Sequence, residues 1–161
     1  MNNTTKAIVR NGIILLVALT VTSTFSCFKK DKKQAQPIAS LALNAPAPNF
    51  TAVDSYGKKH TLSDYQGKIV VLEWKNSDCP FVKKHYSSDN MQSLQQYAKG
   101  QDVVWLSVIS SGKGRQGYVT KEECNQKVES EKSAAHAVLL DESGEVGRLY
   151  DAKTTPHMFI I

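Results

Sequence analysis

Of the three cysteines in the chain, Cys27, Cys79 and Cys124, one stands where a thiol becomes reactive. Cys79 follows the polar run Asn76-Ser77-Asp78 and precedes Pro80. Proline is favoured in the first turn of a helix, where its missing N–H is not needed. The Cys-Pro pair therefore places Cys79 at a helix N-terminus, where free backbone N–H groups and the positive end of the dipole stabilise a thiolate. Asp78 pushes the other way, since a neighbouring carboxylate disfavours ionisation; Lys75, Lys83 and Lys84 are the residues placed to offset it. A thiolate of this kind attacks a peroxide to give a sulfenic acid, or a disulfide to give a mixed disulfide, and a second thiol must resolve either product. The other fate of a free cysteine is a small buried hydrophobe. The proline and the polar flank speak for chemistry.

The elements that must hold this sulfur follow from the apolar pattern. Ile69-Val70-Val71-Leu72 has the length and β-branched content of a buried strand leading into the cysteine turn. After Pro80, the residues Phe81, Val82 and Tyr86 mark one helix face, and Ser87-Ser88-Asp89-Asn90 interrupts it. Met91, Leu94, Tyr97 and Ala98 resume helical spacing up to Gly100, with Asp89 and Gln92 expected to cap this second segment. One kinked helix or two collinear ones are predicted. Val103–Ile109, Val138–Leu140 and His157–Ile161 read as three further strands. Between them, a Thr120/Glu123 capping box starts a helix from Lys121 to about Glu131, and Glu145–Tyr150 reads as a short helix. Upstream, Phe50–Leu62 predicts a hairpin turning at Ser55–Lys58, followed by one helical turn, Leu62–Gln66, closed by Gly67. Strands alternating with helices make an α/β domain, and the length suits one domain with a real core.

Four stretches carry a family likeness: Ala-Pro-Ala-Pro-Asn-Phe (45–50), Gly57–Lys68, Asp-Cys-Pro-Phe-Val (78–82) and Thr-Thr-Pro-His-Met-Phe-Ile-Ile (154–161). Together they resemble the thioredoxin-like redoxins, the group that holds the alkyl hydroperoxide reductase/thiol-specific antioxidant family. The resemblance implies a thioredoxin-like fold, a mixed sheet flanked by helices, with Cys79 as nucleophile. It also implies that Thr155-Pro156 is a cis-proline beside the active cysteine, leaving the preceding backbone free to bind a substrate chain; an ordinary strand-initiating proline is the other reading. The departures are informative. The second cysteine of C-x-x-C is replaced by Val82, and Asp78 stands where thioredoxins carry tryptophan. Leu72 and Asn76 replace the proline and threonine of the peroxiredoxin pattern P-x-x-x-T-x-x-C, and Lys83 excludes C-x-x-x-C. A one-cysteine redoxin remains, with Asn76 able to donate a hydrogen bond near a peroxide. Cys124, in a separate helix, is either the resolving thiol or a half-buried helix position. The implied partners are a peroxide or protein disulfide substrate and an external thiol reductant, with no cofactor. A redox-silent binding module, its cleft holding a peptide, stays open as a different class. Such sheets continue with a hairpin strand and a last helix, so Met158–Ile161 is expected as an exposed apolar edge and the domain (49–161) as a truncated one.

Met1–Ser26 reads as a secretion signal: Lys6 and Arg10 form the positive region, and Ile13–Val21 an apolar run short for a bilayer. Thr24-Phe25-Ser26-Cys27 resembles a bacterial lipobox, in which Cys27 is lipidated, although Thr24 stands where leucine is preferred. An ordinary signal cleaved nearby, with Cys27 a bystander, is the alternative. Residues 27–48 are Lys-rich and then Ala/Pro-rich, an anchor and tether whose lysines suit an anionic lipid face. The expected location is the cell envelope or periplasm, membrane-anchored through lipid.

The net charge of +5 does not point to nucleic acid. Six of the 20 Lys/Arg and one of the 15 Asp/Glu lie in the first 33 residues, leaving 14 of each in the remainder, which is neutral. Gly112–Gly117 fits the G-x-G-x-x-G dinucleotide pattern, with Asp141 ending the next strand. Its glycines precede the Thr120 helix cap, however, and Lys113 and Arg115 crowd the turn, so a dinucleotide site is set aside. His60, His85, His136 and His157 show no metal-ligand spacing.

Overall fold

The computed structural model describes residues 45–161. The expected signal segment, the anchor at Cys27 and most of the tether lie outside the described residues. Six strands form one mixed sheet: β1 (Thr51–Asp54), β2 (Lys59–Thr61), β3 (Val70–Trp74), β4 (Val104–Ile109), β5 (Ala137–Leu140) and β6 (His157–Ile160). Their order is β2-β1-β5-β4-β3-β6. The pairs β3–β4 and β4–β5 are parallel, while β1, β2 and β6 are added antiparallel. Within the described residues four helices accompany the sheet: α1 (Pro80–Ser87), α2 (Asn90–Gly100), α3 (Lys121–Ser130) and α4 (Glu145–Leu149), with a 3₁₀ turn at Leu62–Tyr65. Among the described residues no helix is long and apolar enough to cross a membrane.

Strand alternation sorts the core into layers. Val70, Leu72 and Trp74 of β3 join Leu106, Val108, Leu139, Val146 and Tyr150 in one apolar cluster. Val71, on the opposite face, packs with Trp105 against Val82, Tyr86, Met91 and Ala98 of α1 and α2. All of β3 and β4 is buried, as parallel strands covered on both faces must be. Trp74 does more than fill space. Its ring lies 5.5 Å from Tyr150 and 5.2 Å from Phe159 between centroids. Its indole N–H donates to Ser110 Oγ (3.0 Å), which donates to Asp141 Oδ2 (2.6 Å). That carboxylate also accepts the Gly147 N–H (2.9 Å), so the ends of β3, β4 and β5 and the start of α4 are tied together.

The segment 80–100 is two helices, broken at Ser88–Asp89. The expected Asp89/Gln92 cap does not form. Asp89 takes a left-handed backbone (φ 55) and its side chain caps nothing. The Gln92 amide instead donates to the carbonyls of Tyr86 (2.8 Å) and Glu131 (2.7 Å), joining α1 to the end of α3. At one edge of the sheet, β6 buries the Phe159 side of the strand more than the Met158 and Ile160 side, and Ile160 is 78 % exposed.

Candidate active site

The cysteine turn is built by Asn76. Its backbone carbonyl accepts the Cys79 N–H (3.0 Å), and its side-chain Oδ1 accepts the Asp78 N–H (2.8 Å). An Asx turn of this kind lets a short polar side chain replace a backbone partner. Cys79 is the residue that precedes the first turn of α1, in extended conformation (φ −68, ψ 128) with Pro80 next. Its carbonyl accepts the Lys83 N–H at 2.9 Å, the first bond of the helix.

The sulfur is half-buried and lies 3.1 Å from the backbone carbonyl of Thr155, to which the thiol donates. The Thr155–Pro156 peptide is cis. Hydrogen bonding from the Thr155 side chain, then from the Val82 and Phe81 backbone N–H groups, holds the Cys79 thiol below its ordinary range, against a smaller opposing effect of burial. The carbonyl steadies the protonated sulfur; the hydroxyl and the two helix amides steady the thiolate. The latter prevail.

The lysines assigned to offset Asp78 behave otherwise. Lys75 is 3 % exposed, ion-paired with Glu131 and seated 3.9 Å above the Tyr86 ring. Lys83 and Lys84 are exposed on α1. Helix amides and a threonine do the work expected of cations, because Lys75 lies on the inward side of the chain, in step with Val71 and Glu73.

Beneath α1 lies a group the sequence reading passed over. Glu73 is fully buried and accepts from Tyr86 Oη (2.9 Å), Trp105 Nε1 (2.8 Å), Ser107 Oγ (2.8 Å) and Gln95 Nε2 (3.3 Å). Burial, with Glu73 beside it, pushes the Tyr86 phenol well above its usual range. One carboxyl thus links β3 and β4 to α1 and α2. The signal was present: strand alternation carries the inward face from Val71 to Glu73.

Cys124 is 1 % exposed, in a separate cluster with Ile109, Val119 and Val138, and burial pushes its thiol up. Cys79 borders the α1–α2 cluster, and both thiols are free. Reaching Cys79 would require Cys124 to leave its cluster. His60 belongs to a buried chain, Asp54–His60–Tyr65, with contacts of 2.8 and 2.5 Å that pin the β1–β2 hairpin. His157, next to Pro156, packs 4.4 Å from the Phe159 ring. Among the described residues no group of three or more His, Cys, Asp or Glu is placed to hold a metal ion.

Residues 43–161 match the AhpC/TSA family along the whole described domain. The chain belongs to the AhpC/TSA family. Solved structures place this AhpC/TSA chain in a thioredoxin-like fold. A hypothetical protein from Sinorhizobium meliloti is 22 % identical with a TM-score of 0.66, over 75 % of this chain and 65 % of that one. An uncharacterized conserved protein from Geobacillus kaustophilus is 24 % identical with a TM-score of 0.65, over 73 % of this chain and 61 % of that one. The chain thus spans just under two thirds of either. The exposed lipoprotein thioredoxin of Streptococcus pneumoniae is 28 % identical with a TM-score of 0.56, over 71 % of this chain and 81 % of that one. No curated protein sequence matches the chain.

Proposed function

We propose that this AhpC/TSA-family chain is a thiol oxidoreductase in which Cys79 is the single nucleophile and a disulfide is the substrate. The observation that carries the reading is the half-buried sulfur at the start of α1, 3.1 Å from the Thr155 backbone carbonyl beside the cis Thr155–Pro156 peptide; the Thr155 side chain and two helix amides favour its thiolate. A disulfide is preferred to a peroxide for two reasons. The Asn76 side chain is engaged in shaping the turn, and Phe81, two residues after Cys79 and 68 % exposed, presents an apolar surface that suits a polypeptide. In the proposed step the Cys79 thiolate attacks one sulfur of the substrate disulfide. That S–S bond breaks, the departing sulfur takes a proton from solvent, and Cys79 is left in a mixed disulfide. Two external thiols complete the cycle: one attacks Cys79 Sγ and frees the substrate thiol, and the second releases Cys79. The substrate disulfide is reduced and the two external thiols become a disulfide. The cycle needs no cofactor, and it leaves Cys124 as a buried structural thiol.

A redox-silent module holding a peptide at Thr155–Pro156 is the second reading, favoured by the distribution of the two free cysteines into separate clusters. Oxidised glutathione and hydrogen peroxide, each followed by site-resolved mass spectrometry of wild type and Cys124→Ser, separate the cases. A Cys79 glutathione adduct in both proteins is expected. Sulfenic acid at Cys79 without an adduct would move the reading to peroxidase, and no modification at Cys79 would leave the binding module. Export and lipid anchoring at Cys27, ahead of the tether 27–48 and domain 49–161, belong to the same proposal. They rest on the lipobox-like Thr24–Cys27, and on the exposed-lipoprotein description of the pneumococcal neighbour. Metabolic labelling with a fatty acid should mark the wild-type chain and not Cys27→Ser.

A further inference from the structure

The glycine pattern at 112–117 is not absorbed by the reading above, and the structure gives it a place. The segment follows β4, carries no helix, and is folded by turns in which Arg115 N–H donates to Gly112 (3.0 Å) and Tyr118 N–H to Arg115 (3.1 Å). Residues 113–116 are exposed, yet Gly117 is buried. Both Gly114 (φ +77) and Gly117 (φ +81) have left-handed backbones, which glycine adopts freely. Their surroundings differ. A Cβ at Gly114 would meet nothing within 4 Å, whereas one at Gly117 would stand 2.6 Å from Cγ and Oδ1 of Asn76 and 2.8 Å from its Nδ2. The Asn76 amide therefore lies directly against the Gly117 backbone.

We propose that Gly117 is a positioning residue for Cys79, acting through Asn76. The inference rests on the reading of Cys79 as the reactive thiol. Asn76 has a short side chain whose oxygen is held by the Asp78 N–H, while its backbone carbonyl holds the Cys79 N–H. A methyl group at 117 makes the amide move, and moving it breaks the Asx turn that sets the approach to Cys79. The sulfur then shifts relative to the Thr155 side chain and the Val82 and Phe81 amides that favour its thiolate. The loop that resembled a nucleotide cradle serves instead as a backstop for the cysteine turn.

The test is the pH dependence of Cys79 alkylation by iodoacetamide, resolved by mass spectrometry so that the other cysteines do not interfere. Wild type, Gly114→Ala, Gly117→Ala and Asn76→Ser are compared with the double variant Asn76→Ser/Gly117→Ala. Gly114→Ala introduces left-handed strain without the contact and should leave the profile within about twofold of wild type. Gly117→Ala should slow alkylation on the acidic side of the profile by about three- to tenfold, because the reactive species is the thiolate. Serine at 76 is shorter yet can still accept the Asp78 N–H, so the double variant should recover to within about twofold of Asn76→Ser alone. A Gly117→Ala profile matching Gly114→Ala would overturn the inference, as would a double variant no faster than Gly117→Ala. If Gly117→Ala fails to fold, the double variant decides by the same comparison with Asn76→Ser. A wild-type profile typical of an unperturbed thiol would remove the proposed function and the positioning role together, whereas a perturbed wild-type profile with matching glycine variants would overturn the positioning role alone.

Discussion

Removing the Glu73 carboxyl should damage this fold more than the loss of one side chain suggests. Glu73→Ala leaves Tyr86 Oη, Trp105 Nε1, Ser107 Oγ and Gln95 Nε2 without their common acceptor, and all four residues are buried. A buried donor left unpaired costs about 1–3 kcal/mol. The four do not add in full: Gln95 Nε2 keeps Tyr86 Oη as a partner at 3.0 Å, and the Ser107 hydroxyl can rotate. A total of about 3–5 kcal/mol follows, the range seen when one side of a buried polar pair is deleted. Glu73→Gln retains one carbonyl oxygen for Trp105, Ser107 and Gln95, and Tyr86 can accept from the new amide, so about 1 kcal/mol is expected. Against a total stability of about 5–15 kcal/mol, the alanine variant gives up about a fifth or more. Urea unfolding followed by the fluorescence of Trp74 and Trp105, both buried, reads the difference as a shift in midpoint at constant m-value. An alanine variant within about 1 kcal/mol of wild type, or a glutamine variant as damaged as alanine, would refute the assigned bonding.

Two further outcomes follow from the other ionisable groups. Cys124, buried with its thiol pushed up, should resist iodoacetamide in the native protein and react at a rate set by opening of the domain, rising with urea; labelling as fast as Cys79 in the absence of urea would contradict its placement. For Asp54, burial alone would raise the carboxyl, but the His60 hydrogen bond and the Lys58 and Tyr56 backbone N–H groups bring it below its ordinary value of 3.8. A depressed folded-state value gives stability that is present above 3.8 and lost as pH falls through the folded value. The stability gap between wild type and Asp54→Asn should therefore narrow between pH 5 and pH 2.5, and a gap independent of pH would exclude the linkage.

Much of the scaffold was legible because its signals are local. The Thr120/Glu123 capping box forms as read, with Thr120 N–H to Glu123 Oε2 at 2.7 Å and Glu123 N–H to Thr120 Oγ1 at 3.2 Å. The β-branched run before Cys79 is β3, and Pro80 opens α1. Where local chemistry met tertiary demand, the sequence reading failed. Asp89 has the right type for a cap, but its left-handed backbone removes the geometry, and Gln92 is drawn to Glu131, 39 residues away. Lys75 has the charge to offset Asp78 beside the cysteine, yet its partner is Glu131. The Glu73 donors come from 13 to 34 positions along the chain, a distance at which residue type alone does not choose a partner. Asn76, expected beside the chemistry, lies in the turn that leads into Cys79; its contact with Gly117 required knowing where the loop after β4 returns.

The most direct measurement is a titration of the two thiols of the domain by NMR in protein carrying ¹³C-labelled cysteine. Cys79 should ionise below the ordinary thiol value of 9.0 and move upward when Thr155 is replaced by alanine, while Cys124 ionises above it. A Cys79 that titrates at or above 9.0, or one indifferent to the Thr155 hydroxyl, would contradict the claim that this helix start holds a reactive thiolate.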